Sequence, residues 1–514
     1  MTKVLLTGTS GAMGSEAIKS LVASGVADTI RVILRDKPSN RRLAKKFRKH
    51  NIEVIFGDLA NYKDCLKSVK DMDYVLHMAA IISPVADHNK VNTHNSNFVG
   101  TKNLVDSIIE LKQNTKFVHT STVAVYGGRN YLAPWGRVGD PLMPSAYDCY
   151  AMSKLMAERY VIESGLKNWV VIRQTAVLHK KLFTNNLSDG LMYHTNLNGP
   201  LEWVTAYDSG VLMTHLVEYD NNGSLDNDFW RKCYNIGGGD SCRVTGYQTL
   251  NDGFGLCGAK LEQLFKPNWS ATRNFHGVWF TDSDKLENYL HFRSESFSDY
   301  WEQMSKRYWY FALGRLVPKK LISKLILEPL THDTNAPRYW VEHNIKGRVD
   351  AFFGSKQEYD KIGDWDTFPL LVYGKTPEGD IDYNALKDIK NSDKYKLNHG
   401  FDESKPVSEL DIQDMIDAAT FRGGKLISTT MIKGDMYTKL EWECSEGHRF
   451  FASPYAVLFA GHWCDECCLN YHWNWDKLAR NNPFFAQVHY NMFGKDELRE
   501  YPYSENEDDF IIKD

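Results

Sequence analysis

Residues Val4 to Thr7 form a short apolar run that ends in Thr7-Gly8-Thr9-Ser10-Gly11-Ala12-Met13-Gly14. The chain then passes directly into a stretch with apolar residues at helical spacing, Ala17, Ile18, Leu21 and Val22. A strand, a glycine-rich turn and a helix in immediate succession restrict the fold more than any other feature of this sequence. Gly8 permits the tight turn, Gly11 lets backbone approach a pyrophosphate, and Gly14 allows helix and strand to pack closely. The open N–H groups at the helix start then attract phosphate, so the turn reads as a dinucleotide-binding site rather than a plain loop.

The same alternation continues. Ile30 to Leu34, Ile52 to Phe56, Tyr74 to Met78, Phe117 to Thr120 and Trp169 to Ile172 are apolar runs, most of them followed by a helical pattern. Strand and helix repeated about six times predict a parallel sheet covered on both faces, because parallel neighbours need crossover connections. At 514 residues the chain exceeds what one core usually holds. The expected division is a Rossmann-type doubly wound domain with a small substrate lobe over 1–305, a connecting region over 306–400, and a zinc-binding domain over 401–514. Apolar residues make up 43% and charged residues 25%, with no low-complexity tract, which excludes wholesale disorder.

Several ordered motifs resemble the extended short-chain dehydrogenase/reductase family, also described as NAD-dependent epimerases and dehydratases, over residues 1 to 300. They are the G-x-x-G-x-x-G turn, Gly57-Asp58-Leu59, His77-Met78-Ala79-Ala80, and Asn97-Phe98-Val99-Gly100-Thr101-Lys102-Asn103-Leu104. The resemblance implies cofactor contacts at Gly8, Ser10, Gly11, Ala12, Met13, Gly14, Asp58, Leu59, Ala79, Ala80 and Asn97. Tyr150-Ala151-Met152-Ser153-Lys154 puts a phenol and an ammonium one helical turn apart, so that the cation can lower the phenol's pKa. By resemblance Tyr150 is the general acid or base, and Lys154 also holds the nicotinamide ribose. Such a proton transfer contributes roughly 100- to 10,000-fold in rate. Aligned on Val125-Tyr126-Gly127, Thr122 takes the place of the family's catalytic Ser/Thr, ahead of its neighbours Thr120 and Ser121. Arg173, after the sixth strand, reads as a structural brace. Tyr207-Asp208 and Tyr234-Asn235-Ile236-Gly237-Gly238-Gly239 resemble landmarks of the small lobe. Tyr383 and Lys387 repeat the Tyr–Lys spacing outside any nucleotide fold and read as a solvated helix face.

The second strand ends in Leu34-Arg35-Asp36-Lys37, with Arg41-Arg42 close behind. A guanidinium suits a 2'-phosphate and an acidic group suits the ribose hydroxyls, so Arg35 favours NADP while Asp36 leaves NAD open. The leading reading is an NAD(P)-dependent oxidoreductase that interconverts a carbonyl and a secondary alcohol on a small molecule. The alternatives are a nucleotide-sugar epimerase or dehydratase with bound NAD, and a non-catalytic nucleotide sensor. Val123-Ala124 after Thr122 and Gln174-Thr175 after Arg173 depart from the dehydratase and epimerase patterns respectively.

In the last part of the chain, Cys444-Ser445-Glu446-Gly447-His448 and Cys464-Asp465-Glu466-Cys467 place two chelating pairs of soft or borderline ligands fifteen residues apart. That is what tetrahedral zinc requires, and the surrounding Trp442, Phe450 and Gly461-His462-Trp463 resemble small zinc-ribbon or treble-clef modules. Cys444, His448, Cys464 and Cys467 are the expected ligands, with Cys468 or His462 as alternatives to His448. A structural zinc contributes on the order of 10 kcal/mol to a small fold. The module is expected to scaffold, dimerise or lid the active site, with a homodimer as one outcome.

Net charge of -4 gives no global drive toward nucleic acid or an anionic membrane. The aromatic stretch Trp473 to Phe485 and the acidic Glu505 to Asp509 argue further against nucleic acid. The absence of a leader pattern or a bilayer-length apolar run, and nine cysteines without a signal peptide, suggest a cytoplasmic protein with reduced thiols. Leu321, Ile322, Leu325 and Ile326 suggest an amphipathic helix packed on the enzyme domain.

Overall fold

The computed structural model describes residues 1–186, 189–369 and 396–501, with only the backbone described at 186. The readings at 383–387 and 505–509 lie outside the described residues. Seven strands form one parallel sheet: β1 (Lys3–Thr7), β2 (Thr29–Leu34), β3 (Glu53–Phe56), β4 (Tyr74–His77), β5 (Lys116–Thr122), β6 (Trp169–Gln174) and β7 (Lys232–Ile236). Their order is β7-β6-β5-β4-β1-β2-β3, so the winding reverses between β1 and β4. A doubly wound sheet opens its ligand crevice at the carboxyl ends of those two strands. The glycine turn and the His77–Ala80 segment lie there.

The alternate faces of the sheet bury different sets of residues. Val4, Leu6, Val32 and Val118 pack with Ala17, Ile18 and Leu21 of α1 (Ala12–Ser24), and with Leu212, Met213 and Leu216 of the helix Ala206–Asn221. Gly210 makes that crossing possible, since a Cβ there would lie 2.6 Å from Ala17 N. On the opposite face Leu5, Val75, Phe117 and Trp169 meet α2 (Tyr62–Val69), α3 (Gly100–Glu110) and α4 (Cys149–Glu163).

The seventh strand is a departure from the sequence reading. Tyr234–Gly239 reads as part of the small lobe, yet Lys232–Ile236 pairs with β6 as the sheet's edge, and only the three glycines lead away toward the lobe. The lobe has its own three-stranded sheet of Ala176–Leu178, Pro200–Thr205 and Arg243–Thr245. Buried Glu202 holds it together, accepting from Arg243 Nε at 3.0 Å, Phe280 N at 2.8 Å and Ser283 Oγ at 2.7 Å.

A second departure concerns 306–330. The expected helix forms after Pro318, as one helical run through Lys319–Ile322, Ser323–Leu327 and Glu328–Leu330, but it packs through few of its apolar residues. Ile322 packs inward, while Leu321, Leu325 and Ile326 face solvent.

The last hundred described residues fold around a small antiparallel sheet, Lys425–Leu426, Leu440–Glu443 and Arg449–Ala452, and then dock on α4 and on the β7 edge. Eleven of the fifteen residues of α4 are buried, which no single-sided helix allows, so this helix needs a second wall. Helices over residues 85–110, α3 among them, pack along much of it, and the C-terminal module completes the cover. Trp475 Nε1 donates to Pro144 O at 2.8 Å, Arg159 pairs with Asp465 at 3.1 Å, and Tyr455 Oη accepts from Cys233 N of the edge strand at 2.7 Å. Trp442, Tyr455, Trp463 and Trp473 belong to the same continuous core as Phe117 and Trp169.

At the centre of the contact, Glu158 and Arg173 are both wholly buried and paired at 2.6 Å. Arg173 Nη2 also donates to Ala460 O at 2.6 Å, and Glu158 Oε1 also meets His462 Nε2 at 3.1 Å. Removing one partner of such a pair leaves an uncompensated buried charge, at a cost of about 3–5 kcal/mol. Arg173→Met should lose about that much stability in urea denaturation, and Glu158→Met with Arg173→Met should lose clearly less. Equal losses would mean that the pair is not what couples the module to the sheet.

Candidate functional site

The turn after β1 has the geometry its glycines demand. Gly8 sits at φ +78, and a Cβ on it would lie 2.7 Å from Met78 C and Ala79 N of the neighbouring strand end. Gly8 O accepts from Gly11 N at 2.9 Å, and a Cβ on Gly14 would fall 2.3 Å from that same oxygen. Ser10, Gly11 and Ala12 are exposed, Met13 is half-buried, and no side chain caps the first turn of α1. Its leading N–H groups therefore stand open in a concave turn, the arrangement that takes up an anion. Buried polar atoms without a protein partner lie nearby in the sheet order, at Thr9 Oγ1, Thr120 Oγ1 and Gln174 Oε1.

Beyond the ends of β2 and β3 a 660 Å³ cleft is lined by Arg35, Asp36, Lys37, Phe56, Gly57 and Asp58. Asp36 is held by Arg41, Nε to Oδ1 at 2.5 Å and Nη2 to Oδ2 at 2.9 Å, and this hydrogen bond lowers its pKa. Leu59 is buried beside Gly100, where a Cβ would come within 2.9 Å of its side chain. A larger cleft of 980 Å³, between helices Gly246–Gly255 and Phe297–Arg307, contains none of the expected site residues.

In α4 the N-cap Asp148 accepts from Ala151 N at 2.8 Å and also meets His276 Nδ1 at 3.2 Å, fixing the start of the helix that carries Tyr150. Burial pushes the Tyr150 phenol up to about 12; the Thr122 hydroxyl bonded to it pulls the other way, and Asp148 adds to the rise. Thr122 thus sits against Tyr150. Ser121, next to it, is engaged elsewhere, its Oγ donating to Glu158 Oε2 at 2.6 Å.

Lys154 differs from expectation. It is 1% exposed, and its ammonium lies 3.4 Å from His119 Nε2 rather than acting on the phenol. Burial lowers its pKa from 10.5 to about 7, with Glu158 opposing. His119 and His77 stand side by side in the sheet register, their rings 5.5 Å apart, and burial drives both far below the usual imidazole range. His77 bonds Thr7 Oγ1 and Thr101 Oγ1, each at 2.9 Å, and Thr7 Oγ1 accepts from Ala79 N. A row of neutral groups therefore leads from the glycine turn to Lys154. Asn97, fully buried, spends its amide on protein: Oδ1 accepts from Ile81 N at 2.8 Å, and Nδ2 donates to Ile81 O and Ser153 Oγ, each at 3.0 Å. It ties the Ala79-Ala80 loop to α4. His77, His119 and Glu158 were not singled out from sequence for this role. Glu158 has a signal after the fact, continuing the i, i+4 series from Tyr150 and Lys154 on one helix face.

The C-terminal cluster is the second candidate site. The donor atoms of Cys444, His448, Cys464 and Cys467 all lie within 4.8 Å of one another. Cys444 Sγ and Cys467 Sγ are 3.8 Å apart, and His448 Nδ1 lies 3.3 Å from Cys467 Sγ and 3.7 Å from Cys464 Sγ. Metal–sulfur bonds of about 2.3 Å give a tetrahedron with edges of about 3.8 Å. The hairpin turn between Leu440–Glu443 and Arg449–Ala452, with Gly447 at φ +81, presents the first pair. His448 Nε2 points to Glu466 at 3.5 Å, in the manner of an outer carboxylate that fixes a ligating ring. His462 is spent on Glu158, and Cys468 lies outside the set of four.

The folded state holds the Lys154 proton only below about pH 7, the unfolded state up to about 10.5. Between these values the unfolded chain carries more protons, so this lysine's contribution to stability rises with pH and is least favourable at and below pH 7. Lys154→Met should stabilise the cofactor-free protein at pH 7 by a few kcal/mol, with the gain shrinking steadily toward pH 10. A gain that does not change between pH 6 and pH 10 would contradict the buried-ammonium account.

Curated relatives cover part of the chain. A UDP-glucose 4-epimerase from Rickettsia rickettsii is 25% identical over 127 residues, 24% of this chain and 37% of its own length. A UDP-N-acetylglucosamine 4,6-dehydratase (inverting) from Campylobacter jejuni is 26% identical over 108 residues, 21% of this chain and 32% of its own length. The chain thus spans about a third of the length of these relatives. Among solved structures, a dTDP-glucose 4,6-dehydratase from Streptomyces venezuelae with NAD bound matches at 21% identity and a TM-score of 0.49, covering 60% of this chain and 98% of that one. Residues 4–176 match the model of the NAD dependent epimerase/dehydratase family, and it is to this family that the nucleotide-binding third of the chain is similar.

Proposed function

We propose that the protein is an NAD(P)-dependent oxidoreductase that interconverts a secondary alcohol and a carbonyl, with Tyr150 as the proton-transferring group. The observation that carries this reading is the meeting of Thr122 with Tyr150 at the carboxyl end of β5, the same edge of the sheet at which the open glycine turn follows β1. When bound, the nicotinamide would supply the hydride donor or acceptor. Gly8, Ser10, Gly11, Ala12, Met13 and Gly14 would hold its pyrophosphate, with Asp58 and Leu59 at the adenine end and Ala79 and Ala80 beneath. A phenol held near 12 is protonated at neutral pH, so Tyr150 at rest is ready to give a proton to a carbonyl oxygen while Thr122 positions that oxygen. Lys154 would bind ribose, and Asn97 acts as a positioning residue through the loop it fixes. A pure nucleotide sensor would have no use for this proton relay.

A nucleotide-sugar substrate is the second reading, supported by the names of the curated relatives, whose chemistry would use the same acid/base. Arg35 and Lys37 in the adenosine cleft support NADP, while Asp36 keeps NAD in reach. For the C-terminal module we propose a structural zinc on Cys444, His448, Cys464 and Cys467, a set of four protein donors that leaves no position for substrate.

Tyr150→Phe should reduce turnover at least about 100-fold while NADPH binding stays within about twofold; retained turnover would overturn the assignment. Parallel titration with NADPH and NADH, and assay with UDP-sugars, separates the readings. Tightly retained NAD with turnover of a UDP-sugar would put the second reading first. The purified protein should carry one equivalent of zinc, and stripping it or introducing Cys467→Ser should lower the melting temperature by many degrees. A chelator-treated protein that keeps its melting temperature would leave the cluster as plain buried thiols.

A further inference from the structure

The segment from Lys306 to Ile326 is pinned at several points and exposed between them. Tyr308 Oη donates to Lys180 O at 2.5 Å, Phe311 stacks edge-on to Phe183 at 5.5 Å, Ser323 Oγ donates to Leu264 O at 2.6 Å, and Tyr193 Oη donates to Leu327 O at 2.8 Å. These contacts hold the chain against the substrate lobe. Between them Trp309, Tyr310, Leu313, Leu316, Leu321 and Leu325 are exposed, Leu316 at 83% and Trp309 at 68%. With Val317 and Ile326, eight of the twenty exposed large apolar side chains of the described residues fall within these eighteen positions. Single exposed leucines need no explanation, but a concentration of this kind on a folded surface marks an interaction site.

Charge identifies the partner. Lys306, Arg307, Arg315, Lys319, Lys320 and Lys324 all lie in this segment, and no Asp or Glu occurs between Glu302 and Glu328. The chain as a whole is net negative, so the cationic character is local. We propose that this surface seats the protein on an anionic lipid bilayer, with Trp309 and Tyr310 at headgroup level, Leu313, Leu316, Leu321 and Leu325 in the upper acyl region, and the six cations against lipid phosphates and carboxylates. Aromatic and aliphatic side chains interleaved with Lys and Arg, on a surface too short to span, are what in-plane membrane binding uses. Among the described residues no helix is long and apolar enough to cross a membrane, and this mode does not need one. A second copy of the chain fits less well, since face-to-face pairing would set six cations against six.

The test is sedimentation of the full-length protein with vesicles of phosphatidylcholine, with and without phosphatidylserine. Binding should be at least about tenfold stronger with the anionic lipid and should weaken as salt is raised. Trp309→Ser with Leu316→Ser and Leu325→Ser, and separately Arg315→Gln with Lys320→Gln and Lys324→Gln, should each reduce binding by about tenfold or more. NADPH affinity and far-ultraviolet circular dichroism should stay unchanged, since every altered side chain is exposed. No vesicle binding, or binding that the two variants leave intact, overturns the proposal. So does a concentration-dependent dimer that the apolar variant abolishes, which would assign the surface to self-association.

Discussion

The Glu158–Arg173 ion pair fixes what the rest of this structure depends on. Both groups are without solvent, and taking two charges out of water is costly unless every remaining donor and acceptor finds a partner. They do find them. Glu158 takes bonds from Arg173, Ser121 and His462, and Arg173 donates also to Tyr126 Oη and Ala460 O. Burial alone would raise the carboxyl, but Arg173 and His462 overcome it and hold Glu158 well below the usual range. The network joins four separate pieces: the end of β5, helix α4, strand β6 and the C-terminal module. Its value is less in net stability than in specificity, because only one docking of the module satisfies all of these groups.

That docking changes what the module is for. A helix buried on nearly every side cannot face solvent, and α4, which carries Tyr150 and Lys154, is such a helix. The sheet and the helices over 85–110 cover most of it, and the module adds Asp465 on Arg159 and His462 on Glu158, with Ala460 on Arg173 and Trp475 on Pro144 beside them. These contacts brace the helix together with the strand next to it. The four-donor cluster lies at the module's heart, two residues from His462 in the chain. Whatever orders the cluster therefore also orders the partner of Glu158, one helical turn from Lys154.

What could be read from sequence was local. The glycine turn and the two Cys/His pairs each state their chemistry within a few residues and come together in space, whereas the Tyr–Lys spacing holds on the helix but leaves the ammonium on His119. What could not be read depends on distant partners. Glu158 and His462 are 304 positions apart, and nothing local says that the two will meet. The choice of Thr122 over Ser121 rested on alignment to a motif; the structural reason is that Ser121 is spent on Glu158. The residues of the edge strand Lys232–Ile236 do not say which sheet they join, so Tyr234–Gly239 reads as lobe. Periodicity likewise gives Leu321 and Leu325 an apolar stripe that reads as packed on the enzyme domain, and in the structure protein does not cover it.

The adenosine cleft shows how far electrostatics decides a cofactor in this fold. Asp36 and Arg41 neutralise one another at the rim, but both are exposed, and water and salt screen such a pair. Either partner can therefore exchange the other for a ligand at little cost: Asp36 for ribose hydroxyls, Arg41 for a 2'-phosphate. The pair itself does not choose. The lining sets Arg35 and Lys37 against Asp36 and Asp58, two cations facing two carboxylates. Asp58 is itself exposed, its Oδ1 accepting from Ala60 N at 3.0 Å, so opposite charges balance at the mouth and charge alone does not select between NAD and NADP.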